Sequence, residues 1–145
     1  MRKVSRSALV PHSASEMFSL VDDIEAYPSF LPWCKSAVVH TRDADSVEAS
    51  LELQRGGVSK SFTTRNSLRE NQSIGLALLG GPFRHLSGGW EFKQLDDSGC
   101  KVSFDLEFEF ENPVTDMVFG TFFEKICNSL VDAFTRRADE IYGES

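Results

Sequence analysis

The residues of this 145-residue chain with the most obvious chemistry are its three histidines, three cysteines and 22 carboxylates. Their spacing supports little catalysis. His12, His40 and His85 are scattered, and only His12 with Glu16 approaches the spacing of a metal-ligand pair. No glycine-rich phosphate loop, nucleophile elbow or close Cys–His pairing occurs. General acid–base chemistry needs a positioned acid and base, and no two residues nominate themselves. Cys34, Cys100 and Cys127 are odd in number and far apart, which implies a reducing compartment, no disulfide framework and no zinc site. Cys34, beside Trp33, reads as a small buried hydrophobe. The chain is expected to bind rather than to catalyse.

What it would bind is written in its apolar residues. Residues 21–34, VDDIEAYPSFLPWC, run an amphipathic helix into Pro28 and Pro32, with Tyr27, Phe30, Leu31 and Trp33 crowded around them. Proline has no backbone N–H and fixes φ, so the helix stops there. The residue before each proline is pushed from helical dihedrals, which leaves a kinked, stiff connection. Large apolar side chains on such a connection form either the gate of an apolar tunnel or a plug that closes the core. The composition fits both: twelve Phe against two Trp and two Tyr give apolar area with few polar handles.

Charge narrows the partners. A net charge of -7 argues against wholesale coating of nucleic acid, which needs clustered Lys and Arg. The longest apolar run is Leu76–Leu79, far short of the ~20 residues of a membrane span. The N-terminus lacks the apolar stretch of a signal peptide, so a cytoplasmic protein is expected. The length suits one domain spanning residues 1–145, and a domain of this size buries roughly 68–70% of its unfolded surface.

The elements that would position these residues follow from local signals. Residues 2–10 read as a strand, and Ser13-Ala14-Ser15-Glu16 as a capping box opening a helix with Met17, Phe18, Leu20, Val21 and Ile24. From residue 36 to 110 the apolar period becomes two. A strand around 37–39 precedes one in which Val47, Ala49, Leu51 and Leu53 alternate with polar residues. Gly56-Gly57 turns into a strand through Val58, Phe62 and Thr64. Strand 73–79 is bounded by Asn71-Gln72 and Gly80-Gly81-Pro82. Leu86, Gly88, Trp90 and Phe92 then share a face, and Val102, Phe104, Leu106, Phe108 and Phe110 alternate inward on the last strand. Asn112-Pro113 is an N-cap with proline at the first helical position, ahead of a long helix to about Tyr142 and a stop at Gly143. This is an α+β helix-grip fold: a curved antiparallel sheet of six to seven strands around a long C-terminal helix.

Three stretches, VDDIEAYPSFLPWC at 21–34, GPFRHLSGGWEF at 81–92 and FEFENP at 108–113, resemble the coenzyme Q-binding family of the START-like, polyketide cyclase superfamily. The resemblance covers nearly the whole chain. It implies a cavity between sheet and helix that holds ubiquinone or a similar isoprenoid lipid, supporting respiration, with no required cofactor and with brief contact to membrane surfaces. For some bacterial members it implies instead a ribosome association toxin that binds the large subunit and blocks subunit joining. Related cyclases and aromatases supply a third, enzymatic, alternative. The chain starts directly at the domain, without the transit peptide of mitochondrial members, which fits a bacterial cytosolic protein.

Under the lipid reading the ligand-binding residues are Tyr27, Phe30, Leu31 and Trp33 on the proline segment. Phe62, Phe83, Leu86, Trp90 and Phe92 would line the sheet side, and Phe119, Phe122, Phe123 and Ile126 the helix side. Gly88 and Gly89 beside Trp90 leave room either for a ligand or for a bend in the sheet. Gly120 inside the helix costs ~1 kcal/mol against alanine, which points to close packing or to a ligand passing there. Asp22, Asp23 and Glu25 lie where the helix dipole repels anions, so a cation such as Arg84, an outside basic surface or solvent must face them. Under the ribosome reading Arg55, Lys60, Arg65 and Arg69 concentrate cations in one hairpin, which Arg2, Lys3 and Arg6 could join. The same charges would also serve to solubilise an outer sheet face.

Overall fold

The computed structural model describes residues 1–143. Seven strands, β1 (Arg2–Val10), β2 (Cys34–Arg42), β3 (Ser46–Arg55), β4 (Val58–Arg69), β5 (Ser73–Gly80), β6 (Phe83–Asp96) and β7 (Gly99–Phe110), pair in one antiparallel sheet. Their order is β1-β7-β6-β5-β4-β3-β2, so the meander closes when the first strand lies against the last. The long C-terminal helix lies against the inner face of this curved sheet.

Local signals start and stop the helices where the side chains require. In α1 (Ala14–Asp22) the Ser13 hydroxyl accepts from the Glu16 N–H at 3.0 Å, and the Glu16 carboxylate accepts from the Ser13 N–H at 3.0 Å. The proline segment Ile24–Ser29 is a 3₁₀ turn. Past Phe110 the Asn112 side chain caps the single turn α2 (Pro113–Thr115), accepting from the Thr115 N–H at 2.8 Å. A π-helical turn, Asp116–Gly120, then leads into α3 (Thr121–Tyr142), which ends at Gly143 with φ +83°. The expected single long helix therefore carries a change of winding near its start.

Arg2 explains why glycine stands at that change. Its guanidinium reaches Asp116 at 3.0 Å and Glu124 at 3.2 Å, tying β1 to the helix. A Cβ on Gly120 would come within 2.6 Å of Arg2 Nη2 and 2.8 Å of Asp116 Oδ1. Close packing is thus the role of Gly120, and what packs on it is a side chain. Gly120→Ala should leave the melting temperature within about 3 °C, because ~1 kcal/mol of helix propensity offsets the ~0–1 kcal/mol of two partly exposed ion pairs. A drop of 8 °C or more would show that the guanidinium cannot yield.

The two strand glycines let the neighbouring strands approach closely. Gly88 and Gly89 have φ of +149° and +156°, and a Cβ on either would strike the neighbouring strand. Neither opens space for a ligand. A bulge between Phe83 and His85 lets Phe83 and Leu86 both turn inward although they are three residues apart.

Two electrostatic expectations are corrected. The cation facing the end of α1 is Arg42 of β2, which holds the Asp22 carboxylate at 3.0 Å and its carbonyl at 3.0 Å; Glu25 accepts from the Val39 N–H at 3.4 Å. Arg84 lies by Glu109 and the Glu111 carbonyl instead. Arg2, Lys3 and Arg6 lie on β1, which β7, β6 and β5 separate from β4 in sheet order, although Arg2 and Arg55 both reach the Asp116–Gly120 turn. The three β1 cations face Asp116, Glu107 and Asn128 respectively.

Candidate functional site: an apolar cavity

Where the sheet curves away from α3 a cavity of about 80 Å³ remains. Leu51, Leu53, Ile74, Leu76, Leu86 and Trp90 form much of its sheet wall, and Phe123, Ile126, Leu130 and Phe134 its helix wall. Val21, Ile24, Tyr27 and Trp33 close the end beneath the proline segment. Strand alternation aims every second side chain at this space, and the three- and four-residue spacing of α3 does the same from above. The cap is built from rings. Tyr27 and Phe30 each meet Phe134 edge-on at 5.4 Å, and Trp90 meets it at 5.3 Å from the sheet.

Polar groups here are few and neutral. The Tyr27 hydroxyl donates to the Val21 carbonyl, and burial, with Asp22 nearby, holds its pKa well above the ordinary value. Burial likewise pushes up the Cys127 thiol, which borders the cavity. Thr64 and Asn66 of β4 add one hydroxyl and one amide to the sheet wall.

Seven of the residues expected at a ligand site border this space: Tyr27, Trp33, Phe62, Leu86, Trp90, Phe123 and Ile126. The other six lie elsewhere. Phe30 covers the outside of Phe134, under the Arg137 guanidinium at 5.0 Å. Leu31 is buried in the core. Phe83 stacks on Phe110 at 4.6 Å, behind the cavity residues Phe62 and Phe123, and Phe92 sits behind Trp90 under Phe18. Phe119 is buried against Phe122, and Phe122 lies half-buried under Arg55 at 5.6 Å. Periodicity tells which face a residue takes but not how far along the element the cavity extends. Neither Thr64 nor Asn66 stands among the expected site residues, although the alternation from Phe62 to Leu68 puts both on the buried face.

The hairpin cations do not make one patch. Arg65 and Arg69 point outward, with Arg65 held by Glu48 at 2.6 Å. Arg55 stays exposed and reaches the turn ahead of α3, donating to the Val118 carbonyl at 2.7 Å, and Lys60 is half-buried opposite Leu53. Among the described residues no group of His, Cys, Asp and Glu is placed to hold a metal ion. His12 meets Asp139 at 2.7 Å and not Glu16. No helix among those residues is long and apolar enough to cross a membrane.

All three cysteines are buried, and burial raises the Cys34 and Cys100 thiols to about 11. The thiolate is the reactive form. A disulfide reagent at pH 7.5 should therefore label none of them within minutes in the native protein and all three after unfolding. Rapid native labelling would show that the Cys127 wall opens.

A sheet gripping a helix around an apolar cavity defines a START-like binding domain. The chain belongs to the polyketide cyclase / dehydrase and lipid transport family, whose profile matches residues 10–135. Over 144 residues it is 46% identical to the ribosome association toxin RatA of Vibrio cholerae serotype O1, covering 99% of this chain and 100% of that protein. It is 27% identical to the mitochondrial coenzyme Q-binding protein COQ10 of Dictyostelium discoideum, over 92% of this chain and 67% of that protein. The Zhui aromatase/cyclase from Streptomyces sp. R1128 superposes with a TM-score of 0.80 over 99% of each chain at 16% identity, a likeness of fold alone. The names of the two relatives describe association and binding, not a reaction.

Proposed function

We propose that this chain is a ribosome-directed protein of the ribosome association toxin type, acting in the cytoplasm on the large subunit to hinder subunit joining. The observation that carries this is the end-to-end 46% identity to the Vibrio cholerae toxin, against 27% to the coenzyme Q-binding relative. That difference reverses the order in which the sequence alone ranks the two readings. With a net charge of -7 the protein gains no general attraction to RNA, so contact rests on local cations such as Arg65 and Arg69. The test is sedimentation of the purified protein with separated subunits, followed by their reassociation at higher magnesium. Comigration with the large subunit and fewer joined particles are expected, both weakening with salt. Failure to comigrate at low salt would end the proposal.

The cavity favours a second reading that coexists with the first, since one uses the surface and the other the interior. We propose that the chain, as a single domain over residues 1–145, holds an isoprenoid quinone or similar lipid without chemical change. Each buried CH₂ contributes ~0.8 kcal/mol, so a few isoprene units reach micromolar affinity. A space of about 80 Å³ admits only part of such a molecule, and a longer tail requires the Tyr27–Trp33 cap to move outward. Among the described residues that line the space the titratable groups are the Tyr27 phenol and the Cys127 thiol, both held neutral by burial, which favours holding a ligand over transforming it. Organic extraction of protein purified without detergent, with mass spectrometry of the extract, should recover a quinone. A headgroup-only quinone binding as tightly as a prenylated one would defeat this reading.

A further inference from the structure

An interior that only had to hold hydrocarbon would not need Thr64 and Asn66. Each is 7% exposed, and each borders the cavity. Their cross-strand neighbours are apolar: Ala49 and Leu78 flank Thr64, and Val47 and Leu76 flank Asn66. The Thr64 hydroxyl donates to Asn66 Oδ1 at 2.7 Å. That bond uses the amide's acceptor and fixes the orientation of the group. It leaves the two N–H donors of Nδ2 without a protein acceptor among the described residues, yet not sealed off. A buried amide without its hydrogen bonds costs about as much as the bonds it lacks, and leucine would fill the same volume without that cost.

We propose that Asn66, oriented by Thr64, is the hydrogen-bond donor of the cavity and selects apolar ligands that carry an acceptor oxygen of the quinone-carbonyl kind. The inference rests on the cavity reading above and adds which end of the ligand is recognised and by what. An amide NH₂ can only donate, so the matching ligand atom is an acceptor. A carbonyl on a ring with an alkyl tail supplies it while the rest of the molecule meets Leu76, Trp90 and Phe134. A site built to satisfy a buried donor rejects a ligand lacking the acceptor, because the donor is then left unpaired.

The probes are decylubiquinone and decylbenzene, which share a tail and differ in the carbonyl-bearing ring. Binding of the quinone to the full chain is followed by quenching of tryptophan fluorescence, and decylbenzene is measured by displacement. The wild type should prefer the quinone by roughly tenfold, the worth of one good hydrogen bond. Asn66→Leu should abolish that preference, weakening quinone binding and tightening that of decylbenzene, because no unpaired donor then penalises the apolar ring. The Thr64→Val, Asn66→Leu double variant should melt no lower than the wild type, as expected of a pair kept for a ligand and not for the fold. A wild type without preference, an Asn66→Leu variant that retains it, or a double variant that unfolds would each overturn the assignment while quinone binding itself stood. If neither probe binds the wild type, the cavity reading falls and this assignment with it.

Discussion

Phe134→Ala should destabilise the protein by about 3–5 kcal/mol, the range for emptying a buried aromatic site. The ring is 1% exposed and stands between the sheet wall of the cavity and the proline segment. It meets Trp90 of the sheet at 5.3 Å and Tyr27 and Phe30 of the proline segment at 5.4 Å, all near edge-to-face. Such ring pairs contribute ~0.5–1.5 kcal/mol beyond the area they bury. Neighbours on a β-sheet and a proline-stiffened turn cannot collapse into the space, so the cavity term should persist. Against a total stability of about 5–15 kcal/mol this is roughly a fifth or more of what holds the native state. Guanidinium unfolding would show a lower midpoint with an unchanged slope. A loss below about 1.5 kcal/mol would mean that the cap settles onto Trp90 and that the cavity wall is soft.

A larger effect is expected from a smaller change. Gly88→Ala adds one methyl group where φ is +149°, and that methyl would overlap the Asp105 carbonyl oxygen and lie 2.8 Å from Leu106 Cα. The backbone conformation alone costs a residue with a Cβ about 1–3 kcal/mol. Both clashing atoms are main chain of β7, so relief requires parting β6 from β7, the strands that carry Trp90, Phe104 and Phe108. The sum should exceed ~4 kcal/mol, the exceptional end of single substitutions. Loss of the cooperative melt, or failure to accumulate as folded protein, is the expected result. Gly75→Ala is the control, since its Cβ would meet Ser67 alone, Cβ at 3.8 Å and carbonyl oxygen at 4.0 Å, both ordinary contacts. Equal damage from both variants would show that any added side chain disrupts this sheet, and that φ at Gly88 is not the cause.

The two variants also mark what could be read from residue order. Gly88 was legible as an oddity, a glycine pair amid alternating apolar residues, but the two explanations of it stayed level. Deciding needed the Asp105 carbonyl, which belongs to a different strand. Phe134 shares the apolar stripe of the long helix with Phe119 and Phe122, which were expected at the ligand site while it was not, and spacing alone does not rank the three. The position of Phe134 opposite both Trp90 and Tyr27 depends on how the helix crosses the sheet.

What the sequence by itself determined is local or periodic. The Ser13–Glu16 box, the Asn112-Pro113 start and the Gly143 stop involve atoms within a few residues, so composition and spacing specify them. The inward run from Val102 to Phe110 follows from a two-residue period that admits one buried face. The helix-grip architecture came from the sum of these signals, supported by the resemblance of three motifs. Only the tertiary structure decided that β1 lies on β7, that Arg42 and not Arg84 holds Asp22, and that Arg2 crosses Gly120. Each joins groups separated by many residues, whose meeting is settled by the path of the whole sheet. The cavity is of the same kind. It is the space left after all side chains have packed, a small difference between large volumes, and no single stretch of the chain encodes it. Seven expected residues reach it and six do not, because alternation sets the face of a side chain while the curvature of the sheet sets its depth.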